Sequence, residues 1–183
     1  IVVAGSPNVG KSALISALSS GEPQVASYPF TTKQLHLGHF VHRRRAYQMV
    51  DTPGLLDRPM TERNPIEMQA IAALEHLGDA LVFLVDRSEG SNTPVSEQQH
   101  LLAEVRGLIS ERPIIVVSSK SDLLDPTAEG DGSRISAETG EGLEELRRNL
   151  IDIIAADEIL DPLSLPENWP RDDEPLGSIG ESG

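Results

Sequence analysis

The sequence has no cysteine and only three lysines, Lys11, Lys33 and Lys120, and aromatic residues make up just 3% of it. Without cysteine there is neither a disulfide framework nor a thiolate metal site. Long apolar runs are also missing: the longest, residues 80–85 and 113–117, have strand length and fall far short of a bilayer span, so neither a membrane anchor nor a membrane partner is expected. Nothing at the N-terminus has the basic-then-apolar form of a signal peptide, and a cytoplasmic location is the expectation. Positive charge is scarce, with 15 Lys and Arg against 29 Asp and Glu and a formal net charge of −14. That balance excludes a generally basic, phosphate-neutralising surface. DNA is not expected as a partner, and any RNA contact has to be local. The acid-rich, lysine-poor composition fits a salty cytoplasm, where carboxylates keep a protein hydrated while salt screens their repulsion. It fits equally a GC-rich genome that exchanges Lys for Arg. What remains is ordinary globular material, with 183 residues, 38% hydrophobic and 24% charged, enough for one core.

Apolar strand-like runs alternate with helical stretches along the chain. Strands are expected at 1–4, 34–40, 46–50, 81–85, 114–118 and around 134–135, and helices at 11–19, 66–76, 96–110 and 142–156. This alternation predicts an α/β fold with a mostly parallel six-stranded sheet and helices on both faces. Runs 34–40 and 46–50, joined through His42-Arg43-Arg44-Arg45, should form a hairpin that adds one antiparallel edge strand. Because Ile1 already lies in a strand-like run that leads straight into a glycine loop, the chain is expected to begin mid-protein. From about Asp161 onward, Pro162, Pro166, Pro170 and Pro175 stand among Asp, Glu, Gly and Ser without periodicity. The expected organisation is therefore a domain over 1–160 and an acidic, proline-rich, disordered tail or linker over 161–183.

Gly5-Ser6-Pro7-Asn8-Val9-Gly10-Lys11-Ser12 satisfies G-x-x-x-x-G-K-[ST] directly after a strand and directly before a helix. Glycines there let successive N–H groups point at phosphate oxygens, and the helix start adds its partial positive charge. Gly5, Asn8, Val9, Gly10, Lys11, Ser12 and Ala13 are thus the expected phosphate-binding residues. Lys11 would supply charge to the β- and γ-phosphates and Ser12 a hard oxygen for Mg²⁺. Downstream, Asp51-Thr52-Pro53-Gly54 closes another strand with an acid for the metal, Asp51, and an N–H for the γ-phosphate, Gly54. Between the two motifs, a hydroxyl of Tyr28-Pro29-Phe30-Thr31-Thr32 could complete the metal shell, with Thr32 preferred over Thr31 because it lies nearer the strand. Lys11, Thr32 and Gly54 are accordingly the candidate catalytic groups.

Two later loops bear on the base. In Ser119-Lys120-Ser121-Asp122 the Asp122 carboxylate can accept both hydrogen bonds from guanine N1 and its amino group, and the Lys120 stem can cover the ring. Ser136-Ala137-Glu138 can present backbone N–H groups to guanine O6. Adenine lacks that donor pair, so an ATP-using protein would leave Asp122 and residues 136–138 without a purpose.

Together these segments resemble the G motifs of the P-loop GTPases, from Gly5 to about Ala156. The stretch 28–32 resembles the Obg-type branch, and 50–57 followed by 63–71 is similar to the nucleolar GTP-binding protein 1 family, including archaeal members. The resemblance implies a GTP-driven switch acting in assembly of the large ribosomal subunit or on its rRNA, with a helical N-terminal domain before residue 1. Three positions depart from the family or from Ras-like enzymes. Ser119 replaces the usual Asn of the fourth motif, which predicts guanine preference with reduced affinity. Pro65 stands where an N-cap Thr is usual. Leu55 replaces the glutamine that orients the attacking water, which predicts slow hydrolysis. Asn8 matches the position that ligates K⁺ in related GTPases lacking that glutamine, so K⁺-stimulated hydrolysis is one expectation, and simple bracing of the loop turn is the other. The alternative to a hydrolysing switch is an interaction module that reads nucleotide state with little turnover. The run 43–45 is either a local rRNA contact or a solvated turn that blunts a sheet edge. The five histidines are assigned no chemistry.

Overall fold

The computed structural model describes residues 1–27, 34–51, 53–54, 56–57, 59–65, 67–68, 71, 78–109, 112–124 and 133–160. At its centre lies β5 (Leu81–Asp86), buried along its whole length. Its side chains alternate between two cores, as the two-residue period of a strand requires. Val82 and Leu84 join one cluster, and Leu81, Phe83 and Val85 the other. A strand apolar on both faces must be covered on both faces, and here it is. On one side α1 (Lys11–Leu18) and α3 (Leu143–Leu160) contribute Leu14, Ile15, Leu18, Leu146 and Leu150. On the other α2 (Val95–Leu108) contributes Leu101, Leu102 and Val105.

Flanking β5, β1 (Val2–Ala4) and β6 (Ile114–Ser119) run parallel to it. Beyond β1 comes β4 (Arg45–Asp51), also parallel, and beyond β6 comes the short parallel β7 (Ser133–Arg134). The expected hairpin forms: β3 (Gln34–His42) pairs antiparallel with β4. Its turn is tighter than expected, with only Arg43 and Arg44 outside the strands, both at positive φ (46° and 67°), as a two-residue turn matched to strand twist demands. Phe40 and Tyr47 face each other across the pair with rings stacked at 5.1 Å.

Among the described residues the sheet has seven strands, not six. An additional strand, β2 (Gln24–Ser27), pairs antiparallel with β3, giving the order β2-β3-β4-β1-β5-β6-β7. β2, not the hairpin, is therefore the edge. Its only large apolar side chain, Val25, is 59% exposed, so backbone pairing alone holds it and no hydrophobic pattern marks it.

Of the expected helix 66–76, the described residues Glu67, Met68 and Ile71 are helical. Asn64 Oδ1 accepts the Glu67 N–H at 2.9 Å while Glu67 Oε2 accepts the Asn64 N–H at 3.1 Å, a reciprocal capping box. Asn64 is thus the cap, and Pro65 occupies the first helical position, where its missing N–H costs nothing. The tail 161–183, Thr31, Thr32 and Leu55 lie outside the described residues. Among the described residues no helix is long and apolar enough to cross a membrane.

Candidate functional site

All the parallel strands end at one edge of the sheet, and the motif loops emerge there. After β1 the chain turns at Gly5, φ 136°. A Cβ at Gly5 would sit 2.6 Å from the Leu84 carbonyl oxygen, so only glycine permits this approach. Val9 packs into the core, and Gly10, at φ 98°, adopts a left-handed conformation immediately before α1. Lys11 is buried, with Nζ donating to the carbonyls of Gly5 at 2.9 Å and Ser6 at 3.0 Å. The lysine is thereby folded over the loop it belongs to. Burial pushes its ammonium below the ordinary lysine value, and the carboxylates of Asp51 and Asp57 pull the other way. A buried cation only partly compensated by acids is poised to accept an anion. Asn8 (φ 65°) and Ala13 are exposed beside it.

β4 brings Asp51 alongside. Ser12 Oγ donates to Asp51 Oδ2 at 2.7 Å, which joins the two residues that spacing alone had grouped. Asp51 is 1% exposed, and its Oδ1 is buried with no hydrogen-bond partner among the described residues. A buried carboxylate oxygen left over beside a hydroxyl is unfavourable unless something fills it. This pair of hard oxygens suits a divalent cation that keeps most of its shell from water and phosphate, as Mg²⁺ does. Among the described residues no group of three or more His, Asp and Glu gathers around a metal position.

His36 stands at the same place, its Nδ1 3.3 Å from Ser12 Oγ and 3.7 Å from Asp51 Oδ2. The sequence pattern alone assigns it no chemistry. The signal that could have found it is register: a two-residue turn at 43–44 pairs His42 with Arg45 and, six residues further back, His36 with Asp51.

Past β4, the Gly54 N–H donates to Asp57 Oδ2 at 2.7 Å. The Gly54 carbonyl accepts from Arg63 at 3.2 Å. Asp57 Oδ1 is buried and has no hydrogen-bond partner among the described residues.

The base loops follow β6 and β7. Lys120, at φ 54°, places Nζ 2.6 Å from Asp86 Oδ2. Asp86 is the last residue of β5 and 1% exposed. Its Oδ1 accepts the Ser88 N–H at 2.9 Å and Ser88 Oγ at 2.7 Å. Burial pushes this carboxyl up, but the bonds from Lys120 and Ser88, with the Lys120 charge, outweigh it and hold it below the ordinary carboxylate value. The buried amide of Gln98 on α2 clamps the Asp86 backbone, accepting its N–H and donating to its carbonyl, both at 2.8 Å. Sequence reasoning missed Asp86 and Gln98, which look like a strand end and a helix polar residue until the fold brings them under Lys120.

Ser119 Oγ reaches the Val85 carbonyl at 3.4 Å. This bond runs to the neighbouring strand, not to the phosphate loop. Asp122 is exposed on the short 3-10 turn Ser121–Leu123. The two base loops are tied together by the Ser121 N–H to Ile135 O at 3.0 Å and Ser121 Oγ to Glu141 at 2.6 Å. Ser136 is spent inside its own loop, its N–H donating to Glu141 O and its Oγ accepting the Thr139 N–H. The N–H groups of Ala137 and Glu138 make no hydrogen bond among the described residues.

A glycine loop and buried lysine between β1 and α1, a carboxylate closing β4, and two coupled loops beyond β6 and β7 define the G domain of a P-loop GTPase. The pattern of the 50S ribosome-binding GTPase family matches residues 1–120, and the chain belongs to that family. It is 47% identical over 125 residues to an uncharacterized protein of Methanocaldococcus jannaschii, covering 68% of this chain and 34% of that protein. It is 34% identical over 154 residues to nucleolar GTP-binding protein 1 of Kluyveromyces lactis, covering 84% of this chain and 22% of the relative. The chain thus spans about a third or less of the curated relatives it matches. Among solved structures, a Plasmodium falciparum chain assigned to nucleolar GTP-binding protein 1 superposes with a TM-score of 0.76 at 29% identity, covering 88% of this chain and 89% of that one. The G domain of the Thermotoga maritima FeoB iron transporter shares the fold, with a TM-score of 0.63 at 24% identity over 83% and 96% of the two chains.

Proposed function

We propose that this chain is the nucleotide-binding unit of a switch GTPase that acts on the large ribosomal subunit or its rRNA, in the cytoplasm. The observation that carries the reading is the meeting of Lys11, Ser12, Asp51 and Gly54 at one sheet edge, with Lys120 and Asp122 on the loops beside it. In this reading Lys11 leaves the Gly5 and Ser6 carbonyls for the β- and γ-phosphates, and the loop N–H groups from Asn8 to Ala13 hold the remaining phosphate oxygens. Ser12, Asp51 and Thr32 hold Mg²⁺, which when bound neutralises charge on the phosphates. Gly54 offers its N–H to the γ-phosphate. Asp122 selects guanine, Lys120 covers the base from its Asp86 anchor, and the N–H groups of Ala137 and Glu138 serve O6 while Ser136 shapes their loop.

Hydrolysis is slow in the isolated chain, because Leu55 cannot orient water by hydrogen bonding. Asn8 would hold a K⁺ ion, which would supply positive charge at the phosphates, or contact with the ribosomal subunit would position the water. Residues 1–160 form the nucleotide-binding unit, followed by the acidic, proline-rich stretch 161–183. The names of several relatives contain "Nucleolar GTP-binding protein", which supports the ribosomal part of the reading. The test is single-turnover GTP hydrolysis in KCl and in NaCl, with and without purified large ribosomal subunits. Acceleration by the subunits is expected, together with a faster rate in KCl. A rate unchanged by subunits favours the interaction-module reading, and equal rates in the two salts remove the K⁺ role.

A further inference from the structure

We infer that Asp57 is a specificity-determining residue that sets the preference of this site between nucleoside diphosphate and nucleoside triphosphate. The inference rests on the nucleotide reading above and adds to it a group that the phosphate and metal motifs do not use. The Gly54 N–H, the donor a terminal phosphate would take, donates at 2.7 Å to Asp57 Oδ2. This carboxylate does not hang on an unanchored loop. The preceding residue, Leu56, is buried in the core, and its carbonyl accepts the N–H of Gly5, first glycine of the phosphate loop, at 3.1 Å. On the far side, Arg63 holds the Gly54 carbonyl at 3.2 Å. The carboxylate is thus set in register with the phosphate loop itself, close enough for its charge to act on Lys11.

One N–H cannot serve two anions well. A terminal phosphate oxygen arriving at Gly54 meets a carboxylate already on that donor, and like charges brought together in a partly dry site repel strongly. Asp57 must swing away before the triphosphate seats. A diphosphate ends short of Gly54 and leaves the Asp57 contact intact. The carboxylate therefore taxes triphosphate binding alone, and its departure reports that the terminal phosphate has arrived. Its second oxygen, Oδ1, is buried and has no hydrogen-bond partner among the described residues, so among them only Oδ2 anchors the carboxylate, and its bond to Gly54 is what a terminal phosphate has to displace.

The experiment is calorimetric titration of GDP and of a non-hydrolysable GTP analogue into the wild-type chain, D57N and D57A, in Mg²⁺. Asp57→Asn keeps shape and an acceptor while removing charge, and it decides the matter if Asp57→Ala fails to fold. The expected result is GDP affinity unchanged within about twofold and analogue affinity raised about tenfold or more in both variants. If the two affinities move by the same factor, or neither moves, the inference is overturned and the nucleotide reading stands. If the wild-type chain binds neither nucleotide, the nucleotide reading falls and this inference with it.

Discussion

Lys11 illustrates how much a single side chain carries here. Its ammonium is buried against two backbone carbonyls and held below the ordinary lysine value by burial, so the fold gains little from the charge until an anion arrives. Replacing it with Met should cost about a hundredfold in GDP affinity, about 2.7 kcal/mol. The melting temperature without nucleotide should not fall, and a drop of several degrees would assign Lys11 a structural role instead. Asp86 has the opposite character. Its folded carboxyl lies below the ordinary value, so the folded state binds the proton less tightly than the unfolded one. The stabilisation is then fully present above the ordinary carboxylate range near about pH 4 and lost as pH falls through the lowered folded value. Urea midpoints across a pH series should show Asp86→Asn less stable than wild type near neutrality, the gap closing in acid. A gap that stays constant with pH would contradict the ion pair with Lys120 as its source. Motif residues such as Ser12 and Asp51 were legible because their chemistry is written in short local patterns. Asp86, Gln98 and His36 were not, because each acquires its partner only through strand pairing or helix packing.

Runs 81–85 and 114–118 were readable as strands because both faces are buried and the apolar signal is continuous, and α3 because Leu146, Leu150 and Ile154 share one face. β2 was unreadable because an edge strand with an exposed Val25 leaves no burial pattern. The hairpin offers two tests. Truncating Phe40, fully buried, stacked on Tyr47 and capped by Arg147 at 5.3 Å, should cost about 3–5 kcal/mol in denaturant unfolding. At its tip, Arg43 and Arg44 both hold positive φ, so the double change Arg43→Asn with Arg44→Gly should stabilise by about 1 kcal/mol. If the arginine run is an rRNA contact, the same variant should bind large ribosomal subunits more weakly despite its stronger fold. Unchanged subunit binding would mark the run as a solvated turn.

Across the whole molecule, −14 of net charge works against compactness and is relieved by salt. The domain should therefore melt higher in about 1 M KCl than in dilute buffer, as followed by circular dichroism. Nucleotide adds to this by mass action, about 2.7 kcal/mol at a hundredfold excess over Kd. Selection of a guanine nucleotide at this edge of the sheet has to survive Ser119 bonding back to Val85 and Lys120 being anchored on Asp86. Calorimetric titration of GDP and, separately, ADP into the chain in Mg²⁺ and KCl tests it most directly. Clear GDP binding with ADP at least about a hundredfold weaker is expected; equal binding of the two, or none, would mean that this edge does not select guanine.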